Sequence, residues 1–154
     1  MVGRIFDFFI GSWKVRHRCL QEWLKGSTSW EEFADTSVAR AILGGLGHIE
    51  EVTLERTSGA TEELAVRFFD PRTQQWRIDE ADNGNSFNSR PVVGAFKDGR
   101  VEGYSHEPWE GKYIFRRVVW SDITATSFHW EQAFSADGGA TWETNWIVDF
   151  TRNE

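Results

Sequence analysis

The chain has 154 residues, of which 40% are hydrophobic and 15% aromatic, with nine Trp and twelve Phe. That length suits a single domain, residues 1–154, built around one core. A net charge of −7, from 17 basic against 24 acidic residues, argues against a nucleic-acid backbone or an anionic membrane surface as partner, because both are held by clustered Lys and Arg.

Cys19 is the only cysteine, so no intrachain disulfide forms. The opening Met1-Val2-Gly3-Arg4-Ile5-Phe6-Asp7 lacks the apolar core of a signal peptide. No stretch approaches the ~18 apolar residues of a membrane span. A cytoplasmic protein without membrane insertion is the expectation, and nothing in the chain sets an oligomeric state.

Arg4 to Ile10 reads as one or two helical turns, ended by Gly11, whose Ile5, Phe6, Phe8 and Phe9 cover an apolar opening. From Ser12 the period becomes two. Trp13, Val15, His17, Cys19, Gln21 and Trp23 form an inward set against a mostly charged outward one. After a turn at 25–29, Trp30 to Leu43 and Leu46 to Glu55 read as strands around Gly44-Gly45, with Leu46, His48, Glu50, Val52 and Leu54 on one face. Thr57-Ser58-Gly59 turns the chain into Glu63–Phe69, and Asp70-Pro71-Arg72-Thr73 turns it into Gln75–Glu80, with Trp76 and Ile78 on one face.

Asp82-Asn83-Gly84-Asn85 is the next turn. Pro91–Phe96 and Arg100–His106 form a hairpin about Lys97-Asp98-Gly99. Lys112–Trp120 and Thr124–Phe134 follow, the second with Phe128, Trp130, Gln132 and Phe134 on one face. The last strand, Trp142–Arg152, sets Trp142, Thr144, Trp146, Val148 and Phe150 against Glu143, Asn145, Ile147, Asp149 and Thr151. No helical stripe supplies a crossover helix, so a parallel sheet is disfavoured. The expected fold is all-β: a closed antiparallel up-and-down barrel of nine or ten strands with a short N-terminal helical turn, closure removing the exposed edges.

Gly11-Ser12-Trp13 resembles the Gly-x-Trp that opens the first strand of lipocalins and the wider calycin superfamily. Arg152 resembles the basic residue that packs over that Trp, so Trp13 and Arg152 are expected to close the barrel by a cation–π contact. A narrower likeness covers nearly the whole chain. Phe6-Asp7-Phe8-Phe9-Ile10-Gly11-Ser12-Trp13, Phe69-Asp70-Pro71 through Trp76, and Ser135 to Trp142 through Thr151-Arg152 are similar to a family of small bacterial lipocalin-like domains of unknown function. That likeness implies a fold and no activity. Ser135-Ala136-Asp137-Gly138-Gly139-Ala140-Thr141-Trp142 also matches the Asp-box of sialidase propellers. A single copy in a chain this short reads as a hairpin turn capped by Asp137.

A barrel has an inside, and Trp-lined space with a few polar groups describes a small-molecule pocket. The expected ligand-binding walls are Trp23, Trp76, Trp130 and Trp146, with polar anchors from His17, His48, Glu50, Arg116 and Gln132. Glu50 has Arg67, Arg116 or Arg117 as possible ion-pair partners. One of Arg116 and Arg117 must point inward; Arg116 is preferred, and an inward Arg matches a ligand carboxylate.

The four His show no metal spacing, Cys19 reads as a buried small hydrophobe, and Gly44-Gly45-Leu46-Gly47 opens no helix. No metal, cofactor or catalytic residue is therefore assigned. The leading function is binding of a small, largely apolar or amphipathic molecule, one bearing a carboxylate included. Two alternatives are a cofactor-independent isomerase or cyclase using His48 and Glu50, and a protein–protein interaction module with a filled barrel.

Overall fold

Period-two alternation becomes strand along most of the chain. The computed structural model describes residues 2–56, 59–83, 86–87 and 90–153; the expected turn residues Thr57, Ser58, Gly84 and Asn85, and the Ile5 side chain, lie outside what is described. A 3-10 helix, Val2–Phe9, precedes β1 (Gly11–Leu20), β2 (Trp30–Ile42), β3 (Gly47–Arg56), β4 (Gly59–Asp70) and β5 (Gln75–Asp82). Then come β6 (Ser86–Phe87), β7 (Val92–Lys97), β8 (Arg100–Trp109), β9 (Lys112–Ser121), β10 (Ser127–Ser135) and β11 (Glu143–Arg152).

The pairs run in chain order, all antiparallel, and β1 pairs with β11 while β4 pairs with β5. Ten strands therefore close into a ring, and β6 adds a two-residue spur on β5. No helix among the described residues is long and apolar enough to cross a membrane.

Closure depends on one guanidinium. Trp13 and Arg152 are register partners, and the Arg152 guanidinium carbon lies 4.2 Å from the Trp13 ring centroid. Arg152 also donates from Nη1 to the Ile10 carbonyl at 2.7 Å, from Nη2 to the Phe8 carbonyl at 3.0 Å and from Nε to the Ala125 carbonyl at 3.0 Å. The same side chain thus joins the last strand, the first strand and the helix. Gly11 is required beside it: its φ is +124°, and a Cβ there would stand 2.5 Å from Arg152 Nη1.

The helix plugs the end of the barrel that Trp13 closes. Phe6 meets Trp76 and Trp120 edge-on at 4.6 and 5.1 Å, and Phe9 meets Phe128 and Phe150 at 4.7 and 5.2 Å. Trp13 donates its indole N–H to the Phe9 carbonyl at 2.8 Å.

Some expected boundaries shift. Leu43–Gly45 forms a 3-10 turn instead of ending β2, and Leu46 is exposed ahead of β3. A bulge at Gln132/Ala133 breaks the alternation of β11: Asn145, expected outside, is fully buried, because two residues of one strand there oppose one of the other. Trp142 precedes β11 and lies under the Arg117 guanidinium at 4.3 Å.

The 136–142 hairpin is held by Asp137. Its carboxylate accepts from the Thr141 N–H at 2.9 Å and from the Thr141 and Ser135 hydroxyls. The hydroxyl and N–H of Thr141, then Ser135, hold its pKa down at about 2. Gly138 and Gly139 have φ of +74° and +94°.

Arg152→Ala should lower unfolding stability by about 2 kcal/mol in a urea titration, through the lost cation–π contact and hydrogen bonds. A variant as stable as the wild type contradicts the closure role. Asp137→Ala should lower the melting temperature and leave ligand affinity alone; an affinity loss without a melting shift would make this hairpin part of a binding site.

Candidate functional site

Above the aromatic plug the barrel is hollow. A cavity of about 210 Å³ lies between a polar wall, built mainly by β3, β4, β5, β8 and β9, and an aromatic wall from β1, β10 and β11. That is room for at least about seven waters at ~30 Å³ each. It exists because a ring of more than eight strands is too wide for side chains to fill, and the plug fills one end only.

The aromatic wall is continuous. Trp130 meets Trp146 edge-on at 5.6 Å, Trp146 lies 6.3 Å from Trp23, and Trp23 stacks on Trp109 at 5.4 Å. Phe134 packs edge-on against Trp23 and Trp109 at 5.2 and 5.3 Å. Trp146 donates its indole N–H to His17 Nδ1 at 3.1 Å. An indole nitrogen only donates, so His17 accepts there and carries its proton on Nε2, which faces Asp35 at 4.0 Å.

Two arginines organise the polar wall. Arg67 Nη2 donates to Glu50 Oε1 at 2.5 Å, Ser37 donates to Glu50 Oε2 at 2.7 Å, and the Arg67 guanidinium lies 4.2 Å over Phe9. Arg116 donates from Nε to Gln132 Oε1 at 2.7 Å. Its Nη1 lies 2.7 Å from Glu80 and 3.9 Å from Glu107, and Ser105 donates to Glu107 at 2.5 Å. Gln132 in turn donates to Asn145 Oδ1 at 3.0 Å.

Of the residues expected at the site, His17, Trp23, Glu50, Arg116, Trp130, Gln132 and Trp146 line this cavity. Arg116 is the inward member of its pair; Arg117 lies outside on Trp142. Trp23 reaches the wall from beyond the end of β1, anchored by its N–H to the Leu20 carbonyl at 2.8 Å. Trp76 and His48 belong instead to the plug, because their strands enter the barrel at its closed end. His48 is fully buried, stacks on Trp76 at 5.4 Å and faces Asp7 at 3.4 Å. Burial and the nearby Arg67 hold its pKa below the usual histidine value, against the pull of Asp7. His48 faces Asp7 while Glu50 takes Arg67 and Ser37, so the two share a strand face and Arg67 as a neighbour but form no ion pair with each other. Arg116, expected to wait for a ligand carboxylate, already faces two of the protein's own.

Among the cavity residues not expected from the sequence are Glu63, Glu80, Glu107 and Trp109. A signal existed for two of them. Counting back by twos from Phe69 gives Arg67, Ala65 and Glu63; counting forward from Trp76 gives Ile78 and Glu80.

No family model matches the chain, and no curated protein matches it. Among solved structures, the one described as EF1p2_mFAP2b bound to DFHBI aligns over 99% of this chain and 100% of its own, with a TM-score of 0.53 and 10% sequence identity. Together with the closed ring of strands, this defines the fold as a closed antiparallel up-and-down all-β barrel.

Charge inside the barrel is unbalanced toward acid. Burial and then the fields of Glu80, Asp82 and Glu50 push the Glu63 pKa from 4.5 to about 7, only partly countered by Arg116. Burial also lifts Asp35 to about 6, despite a backbone hydrogen bond with Glu55. Burial opposes the Arg116 charge, but Glu80, Glu107 and Glu63 outweigh it, and its pKa lies above the usual arginine value.

Because Glu63 holds its proton more tightly folded than unfolded, its contribution favours folding at low pH and is lost as pH rises from 4.5 through 7. Glu63→Gln should therefore be more stable than the wild type at pH 8, by up to about 3 kcal/mol, and the gap should shrink to under about 1 kcal/mol at pH 5. Denaturant titrations at the two pH values check this. A variant less stable at pH 8 contradicts the charge imbalance.

Proposed function

We propose that the barrel binds a small, largely apolar molecule in the cavity above the aromatic plug. One observation carries this reading: a cavity within the barrel, bounded by the connected rings of Trp23, Trp109, Trp130 and Trp146, faces a hydrogen-bonded polar wall. Ligand pockets combine apolar lining with a few placed polar groups in this way. The similar solved barrel holds a small molecule, DFHBI. The volume is small for such pockets, so the ligand has one or two rings rather than a long chain. His17, Glu50, Arg116 and Gln132 supply the polar rim, and the hollow interior favours this reading over a filled interaction module.

Titration with 1-naphthylmethanol, a neutral two-ring probe, should quench tryptophan emission to a one-to-one endpoint. Trp23→Ala should weaken binding roughly five- to tenfold, since an aromatic contact contributes about 0.5–1.5 kcal/mol beyond its area. Its β-type circular dichroism should be unchanged, because Trp23 lies outside the strands. Affinity unaffected in both Trp23→Ala and Trp130→Ala, or no saturable quenching at all, contradicts the proposal.

A further inference from the structure

The cavity wall carries four carboxylates, Glu50, Glu63, Glu80 and Glu107, against two guanidiniums, Arg67 and Arg116. Both guanidiniums are already engaged: Arg67 with Glu50, Arg116 with Glu80 and Glu107. Glu63 is left over. Its register partner on β5 is Asp82, and its acidic neighbours come from both flanking strands, Glu50 on β3 and Glu80 and Asp82 on β5. Arg116 reaches it only from across the barrel, on β9, and no cation among the described residues stands within ion-pair distance of it. On the aromatic wall, His17 accepts a hydrogen bond at Nδ1 and so adds no positive charge in this arrangement. Anions entering this space meet like charge on the polar wall, and the indole rings opposite bring no cation to offset it. A cation meets a carboxylate short of a counter-charge, which it stabilises, beside aromatic rings, a side-chain class that favours cations over anions.

We infer that the cavity is selective for an organic cation: a small protonated amine or quaternary ammonium with an aromatic or apolar body, its charge set against Glu63 and its body against Trp23, Trp130 and Trp146. This deepens the small-molecule reading above and rests on it. It replaces the carboxylate ligand that an inward Arg116 alone would suggest. The cation supplies what Glu63 lacks, and its binding drives off the proton that Glu63 retains near neutral pH. Affinity for a permanently charged amine therefore rises between pH 6 and pH 8.

Isothermal titration calorimetry of the full chain with three matched probes tests this: 1-naphthylmethylamine, 1-naphthylmethanol and 1-naphthoate, at pH 7.5. The amine should bind at least tenfold tighter than the alcohol, and the carboxylate more weakly than either. Glu63→Gln should erase the amine's advantage and leave the alcohol within about twofold. A wild-type measurement stands independently of that variant. In buffers of different ionisation enthalpy, the amine should release about half a proton per molecule bound at pH 7, and the alcohol none.

If the alcohol binds and the amine binds no better, the cation inference fails and the cavity reading survives. If none of the three binds, the cavity reading itself fails and takes the inference with it. Proton release that persists in Glu63→Gln would move the charge site to His17 and Asp35 and overturn the assignment to Glu63.

Discussion

The guanidinium of Arg152 over the indole of Trp13 is the contact on which the remaining architecture depends. It sits where the first and last strands of the ring meet, and the same group holds the carbonyls of Phe8 and Ile10. One side chain therefore joins the two ends of the sheet and seats the helix that plugs the barrel. Once ten strands are closed in this way no long edge is left to pair with another molecule. The interior is also wider than its side chains can fill. Phe6, Phe9 and Trp76 take up the closed end, and the remaining space becomes the cavity.

The polar wall of that cavity is an expensive choice for stability alone. Buried ion pairs recover their desolvation only with good geometry and further hydrogen bonds, and well-packed apolar residues often do as well. Arg67 with Glu50, and Arg116 with Glu80, meet that condition in part: Ser37 and Gln132 add hydrogen bonds, while Nε and Nη1 of Arg67 and Nη1 of Arg116 make none. Glu63 does not meet it, and its raised pKa registers the cost. A surplus carboxylate kept beside a wall of indoles makes more sense as a complement to a ligand than as part of a core.

Much of this was legible in the sequence, and the failures share a cause. The alternation of β1 placed Trp13, Val15, His17 and Cys19 inside, where they are buried. Gly11-Ser12-Trp13 with Arg152 foretold which strands would meet. What alternation cannot report is height along the barrel axis. His48 and Glu50 are two residues apart on one face, yet one is sealed under the plug and the other borders the cavity. Charged residues in both phases hid the inward set of β4, where Glu62 and Glu63 are adjacent and only Glu63 lines the interior. Asn145 was misplaced because a bulge, invisible to period-two counting, turns it inward. Trp109 belongs to a strand that runs three residues beyond its expected end at His106.

A hollow, Trp-walled space with an acidic side should persist above the aromatic plug and admit a two-ring ligand. A crystal structure of the protein soaked with 1-naphthylmethylamine tests it most directly. The naphthalene should lie within the barrel against Trp23, Trp130 and Trp146, with its ammonium in hydrogen-bonding reach of Glu63. An interior closed by collapsed indole rings, or a probe found only on the outer surface, would contradict it.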